Sequence, residues 1–103
     1  MARVTGKTAL ITGGARGIGA ETARFLAREG ATVIIADILQ EEGQAVADKA
    51  GGIFHALDVS KESSWTTLMT DIKKQFGRLD ILFNNAGIIG LNEDLGPQDP
   101  ENI

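Results

Sequence analysis

A chain of 103 residues has the size of one folding unit, and Leu, Ile, Val and Phe supply 28 of them, which sets aside both a disordered chain and a second, independent substrate domain. Ten basic against fourteen acidic residues give a net charge of −4 with no run of Lys or Arg, while zero cysteines exclude a disulfide framework and any thiolate metal site, and one histidine is too few for a His-based metal cage. The first eight residues hold no long hydrophobic segment and no apolar run approaches the roughly 20 residues of a membrane span, so the expectation is a cytoplasmic protein that meets neither nucleic acid nor membrane.

Thr8 to Thr12 (TALIT) is a short apolar, β-rich run that stops at Gly13-Gly14, the pattern of a buried strand entering a turn. A helix follows from Gly17 with Ile18, Thr22, Phe25 and Leu26 as its apolar stripe, and Gly30 stands where a helix C′ residue belongs. Thr32 to Ala36 is a second continuous apolar strand, ending at Asp37. A weaker helix over Gln40–Lys49 rests on Leu39, Val46 and Ala47 and closes at Gly51-Gly52, before a third strand, Ile53–Leu57, broken only by His55. Ser60 is the N-cap expected for the next helix, whose core stripe is Trp65, Leu68, Met69, Ile72 and Phe76. Gly77 stops it, and Leu79–Phe83 forms a fourth strand leading into Asn84-Asn85-Ala86-Gly87. The segment after it carries both prolines, Pro97 and Pro100, and no clear periodicity. Strands alternating with helices over short glycine-marked links are βαβ units, which require right-handed crossovers and a parallel sheet. The predicted architecture is half of a doubly wound α/β sheet.

Chemistry concentrates where the first strand meets the first helix, Thr12-Gly13-Gly14-Ala15-Arg16-Gly17-Ile18-Gly19. A pyrophosphate needs backbone N–H groups aimed at it from a helix start, and side chains there block its approach, which is why glycines are required. A triphosphatase phosphate loop needs Lys and Ser or Thr after the last glycine, but Ala20 and Glu21 stand there. The common Gly-x-Gly-x-x-Gly spacing, started at Gly17, fails at Thr22. A glycine-rich turn that binds nothing stays open on this motif alone. Asp37 lies 18 residues beyond Gly19, near the ~20-residue offset of an acid that binds an adenosine ribose, and a 2′-phosphate would meet its negative charge. NAD is therefore favoured over NADP, with Arg16 as the opposing observation because a guanidinium in the loop is a phosphate partner. Read without further context, Asp58 is a helix-capping acid and Asn-Ala-Gly an ordinary strand-end turn.

Taken together, Thr12-Gly13, Gly17, Gly19, Asp37, Asp58-Val59 and Asn84-Asn85-Ala86-Gly87 resemble the cofactor half of the short-chain dehydrogenase/reductase family, over about Gly6 to Ile89. The resemblance implies a Rossmann-type sheet of four strands in the order 3-2-1-4, with residues 1–90 as an NAD-binding half-domain and 91–103 as a tail leading to a further helix. It implies that Gly13, Gly17 and Gly19 shape the pyrophosphate loop with Arg16 and Ile18 beside the cofactor. Asp37 and the adjoining Ile38 would meet the ribose, Asp58 the adenine amino group and Val59 the ring. Asn85, Ala86 and Gly87 would line the nicotinamide-side ribose, while Asn84 braces the sheet. The implied activity is hydride transfer between NAD and an alcohol or carbonyl substrate, in a homo-oligomeric full-length form.

The departure from the family is chemical. Its members move the hydroxyl proton with a Tyr assisted by a Lys four residues on, and this sequence has no tyrosine. Lys73 and Lys74 read as solvated charges, and His55, inside a strand, as a structural residue. The expectation is a piece of a longer reductase, truncated before the catalytic half and inactive alone. A non-catalytic dinucleotide-binding fragment is the alternative description. A methyltransferase using S-adenosylmethionine is a further alternative, disfavoured because Ile11-Thr12 stand where an acid should close the first strand.

Overall fold

The fold follows from two alternating patterns inside one apolar run. In the computed structural model, which describes residues 4–85, Thr8–Thr12 forms β1 and all five residues are buried. Successive side chains of a strand point to opposite faces, so Ala9 and Ile11 join one core while Leu10 joins another. Thr32–Asp37 forms β2 and divides the same way, Val33 and Ile35 to the first core, Ile34 and Ala36 to the second. A strand buried on both faces has no polar side to spare, which is why TALIT and TVIIA read as unbroken apolar runs.

The remaining elements are α1 (Gly17–Arg28), α2 (Gln40–Ala50), β3 (Ile53–Ala56), α3 (Glu62–Phe76) and β4 (Ile81–Asn84). The four strands are parallel in the order β3-β2-β1-β4, as the sequence implied. Helices α1 and α2 contribute Ala20, Ala23, Val46 and Ala47 to the first core, and α3 contributes Leu68 and Ile72 to the second. The sheet is therefore covered on both faces. Registers pair Thr12 with Ala36 on one side and with Asn84 on the other, so β1, β2 and β4 finish level and present their loops together.

Three expectations are corrected. The stripe expected on α1 faces the core only in part: Leu26 packs against the first core, but Ile18 is 69% and Phe25 53% exposed, while Gly19, Ala20 and Ala23 are buried. Small residues take most of the buried face because they let the helix axis approach the sheet, and Ile18 and Phe25 are turned outward. Met69 is exposed at the edge of the α3 stripe, and Trp65 is half-buried with its indole N–H donated to the Val59 carbonyl at 3.1 Å. Ser60 does not cap α3, whose N-cap is Lys61 without a side-chain cap. Its amide and hydroxyl instead go to Asp58 Oδ1, at 3.0 and 2.6 Å.

The turn after α1 follows the sequence. Gly30 takes φ 98°, its N–H donates to Ala27 and that of Ala31 to Leu26, closing the helix with a Schellman pair. Strand boundaries shift slightly. β3 ends at Ala56, with Leu57 buried just beyond it, and β4 begins at Ile81, just after Asp80, which hydrogen-bonds Thr8.

Candidate functional site

The loop between β1 and α1 is built by exclusion of side chains. A Cβ on Gly19 would lie 2.2 Å from the Gly13 carbonyl oxygen, and one on Gly14 would lie 2.8 Å from Ile35 Cγ2. These two glycines let the loop fold onto the sheet. Gly17 differs: it sits at φ 58° with nothing within 4 Å of a Cβ position, so its bare face looks into open space. No side chain caps the first turn of α1, which leaves the amides of its opening residues as a helix-start donor set beside that space.

Asp37 closes β2 and faces the loop. Its Oδ2 accepts from the Ala15 N–H and its Oδ1 from the Leu39 N–H, each at 3.0 Å. The carboxylate thus ties the glycine loop to the start of α2, and each oxygen retains a lone pair for a further donor. Sequence spacing placed Asp37 near the loop; its anchoring of Ala15 is a further job that spacing does not reveal. Beyond it, Ala36, Asp37, Ile38, Leu57, Asp58 and Val59 line an open cleft of about 130 Å³. That is below the roughly 300 Å³ at which complete ligand pockets begin. Ile38 and Val59 are exposed on its rim, and Ile18 is exposed on the first turn of α1.

Asp58 is held by the turn that follows β3. Hydrogen bonds from the Ser60 hydroxyl and then the Ser60 amide hold its carboxyl below the usual carboxylate range, and Lys61 adds to this against the opposing effect of burial. Its own N–H donates to Ser64 Oγ at 3.0 Å. Ser60 and Ser64 were missed as supports of Asp58, although an Asp two residues before a Ser is a signal for such a turn. At the end of β4, Asn84 Oδ1 accepts from Thr12 Oγ1 at 2.8 Å, and Asn85 Nδ2 makes a long contact of 3.4 Å to the Gly13 carbonyl. Ala86 and Gly87, with the tail at 91–103, lie outside the described residues.

Gly13, Arg16, Gly17, Ile18, Gly19, Asp37, Ile38, Asp58, Val59 and Asn85 all lie in or beside loops at the C-terminal ends of the strands. Open parallel sheets hold ligands in this position. His55 does not join them: its Nε2 pairs with Asp71 Oδ2 at 2.9 Å, joining β3 to α3. A second cleft, about 340 Å³, is lined by Arg24, Ala27, Arg28, Lys49 and Ala50 at the far ends of α1 and α2. Among the described residues no group of His, Cys, Asp or Glu is arranged to hold a metal, and no helix is long and apolar enough to cross a membrane.

Comparison with known proteins decides the family. The short chain dehydrogenase family model matches residues 7–102. The chain belongs to the short-chain dehydrogenase family. This dehydrogenase-family chain is 52% identical over 91 residues, 88% of its length, to the short-chain dehydrogenase reductase ATA1 of Arabidopsis thaliana, and covers 33% of that protein. It superposes on an Escherichia coli hydroxysteroid dehydrogenase with a TM-score of 0.74 at 37% identity, over 84% of this chain and 39% of that one. A Brucella melitensis 16M structure described as ribose-5-phosphate isomerase matches with a TM-score of 0.81 at 38% identity, over 84% of this chain and 34% of that one. Those descriptions name different reactions on one fold, so the chemistry has to be argued from the site. The dehydrogenase-family chain spans about a third of the length of the curated relatives it matches.

Proposed function

We propose that this chain is the NAD-binding part of an oxidoreductase that moves a hydride between NAD and an alcohol or carbonyl substrate. The observation that carries the proposal is the pairing of a bare, outward-facing Gly17 with the Asp37 carboxylate anchored to the same loop. In this reading Gly13, Arg16, Gly17, Ile18 and Gly19 surround the pyrophosphate, whose charge the helix start favours. Asp37 accepts from the adenosine ribose hydroxyls with Ile38 alongside, and Asp58 and Val59 meet the adenine in the cleft between the ends of β2 and β3. Asn85, Ala86 and Gly87 face the nicotinamide-side ribose. Bound NAD supplies the hydride chemistry; residues 1–90 bind and orient it, and 91–103 lead toward the rest of the protein. These 103 residues hold no tyrosine, and the proposal has them bind without turning over, in a cytoplasmic protein that works as a homo-oligomer.

NAD is preferred over NADP on magnitude. Hydroxyls donating to a carboxylate are worth roughly 1.5–3 kcal/mol. A phosphate charge about 4 Å from the same carboxylate meets a repulsion of about 4 kcal/mol at an effective dielectric near 20. Isothermal titration of the chain with NAD, NADP and S-adenosylmethionine tests the reading. NAD should bind, NADP more weakly and S-adenosylmethionine not at all, and Gly17→Leu should lose NAD while keeping its helical circular dichroism. NADP binding as tight as NAD would overturn the role given to Asp37, and absence of dinucleotide binding would overturn the site.

A further inference from the structure

We infer that Glu42 sets the choice between the two dinucleotides by withholding Arg16 from the ribose 2′ position, an inference that rests on the dinucleotide reading of the loop. Arg16 is the N-cap of α1 and adjoins Ala15, whose N–H is held by Asp37. It is thus a neighbour of the carboxylate assigned to the ribose, where a guanidinium would offer a 2′-phosphate a two-pronged partner. The guanidinium is already engaged: its Nη2 donates to Glu42 Oε2 in the first turn of α2. Glu42 therefore acts through Arg16, as a positioning residue, and need not touch the nucleotide.

Both side chains are substantially exposed, 68% for Arg16 and 44% for Glu42. Exposed ion pairs are weak, and a phosphate dianion is a stronger competitor for the guanidinium than water is. The pair therefore sets a modest bias against NADP. Releasing Arg16 should raise the ratio of NADP to NAD affinity only modestly, about fivefold. Glu41 provides the control. It is the other acid in the first turn of α2 and forms no ion pair among the described residues.

Titration of the chain and its variants with NAD and NADP, at low and high salt, tests this. Glu42→Gln should raise the NADP-to-NAD affinity ratio about fivefold at low salt, with the gain shrinking at high salt. Glu41→Gln, which removes the same charge without freeing Arg16, should move the ratio less than twofold. Arg16→Ala combined with Glu42→Gln should abolish the gain. An unchanged ratio in Glu42→Gln while NAD still binds would overturn the inference alone. So would an equal gain in Glu41→Gln, or a gain that survives loss of Arg16, since either makes Glu42 a bare charge. Failure of NAD to bind the unsubstituted chain would overturn the dinucleotide reading and this inference with it.

Discussion

Gly19 and Gly17 belong to one motif but satisfy different demands. At Gly19 the obstacle is the protein itself, because a Cβ would press on the Gly13 carbonyl oxygen at 2.2 Å and neither group is a flexible side-chain end. At Gly17 the protein leaves the position open, and the cost of a side chain is the left-handed backbone, about 1–2 kcal/mol, plus whatever ligand occupies the space. Gly19→Ala is therefore expected to lower the urea midpoint by an amount equivalent to about 1–3 kcal/mol, the range for forcing extra volume into packed structure. An unchanged midpoint would mean that the loop yields freely and that packing does not require the glycine. The glycine spacing was legible as a ligand loop, but which glycine clears the interior and which faces outward was not. Spacing reports where side chains are missing, and only the fold tells what each one would have struck.

At the scale of elements, α1 shows why helix stripes mislead on a tightly packed sheet. Its buried face is Gly19, Ala20 and Ala23, so the large residues at Ile18 and Phe25 stand out of the core. Hydrophobic periodicity ranks residues by size and apolarity, and close approach of a helix to a sheet reverses that ranking. Ala23→Leu should then destabilise by about 1–3 kcal/mol through overpacking. Phe25→Ala should cost under about 1 kcal/mol, because the ring is half exposed and its cation–π contact is an exposed one, with the Arg28 guanidinium 6.0 Å from the ring centroid. Thermal unfolding of the two variants checks the order, and a larger loss from Phe25→Ala would restore the stripe read from periodicity. On α3 the same method found Leu68 and Ile72 because leucine and isoleucine are the residues that fill its gap to the sheet. Gly43 of α2 repeats the α1 lesson: a Cβ there would fall 2.3 Å from the Phe54 ring, so the aromatic of β3 occupies the space that glycine leaves.

The seam between β1 and β4 adds a dependence on pH at this scale. Asp80 accepts from the Thr8 N–H at 2.8 Å, and its own N–H donates to the Thr8 carbonyl. Hydrogen bonds from Arg78 first and from Thr8 next hold its carboxyl below the usual carboxylate range. A lowered folded-state value means that the stabilisation is complete above the unfolded value, about 4, and drains away as pH falls through the lowered one. Chemical denaturation followed down from neutrality should show stability declining below about pH 4. Asp80→Asn should be less stable at neutrality and show a shallower decline, with Asp58 and Glu42, also lowered, contributing to the slope that remains. A slope identical to that of the unsubstituted chain would remove Asp80 from the account.

For the whole molecule, the edge of the sheet at β4 is the decisive feature. Among the described residues β4 pairs only with β1. Its Ile81 and Phe83 pack against the core shared with α1, but Leu82, on the opposite face, is 52% exposed. This strand was legible in the sequence as an apolar run, and its edge position followed from the strand order; the split between its two faces was not legible, because an unbroken run does not say which face is covered. A strand at the edge of a sheet beside an exposed leucine is a template for pairing with another strand. In the 103-residue chain that partner is a second copy, so sedimentation velocity should show association that grows with concentration. Leu82→Lys places a charge on that edge, the device by which edge strands resist pairing. The variant should stay monomeric at concentrations where the parent associates and should still fold, because Leu82 contributes to neither buried core. Equal association of parent and variant would move the contact away from β4, and a monomeric parent would mean that this edge does not draw two copies together.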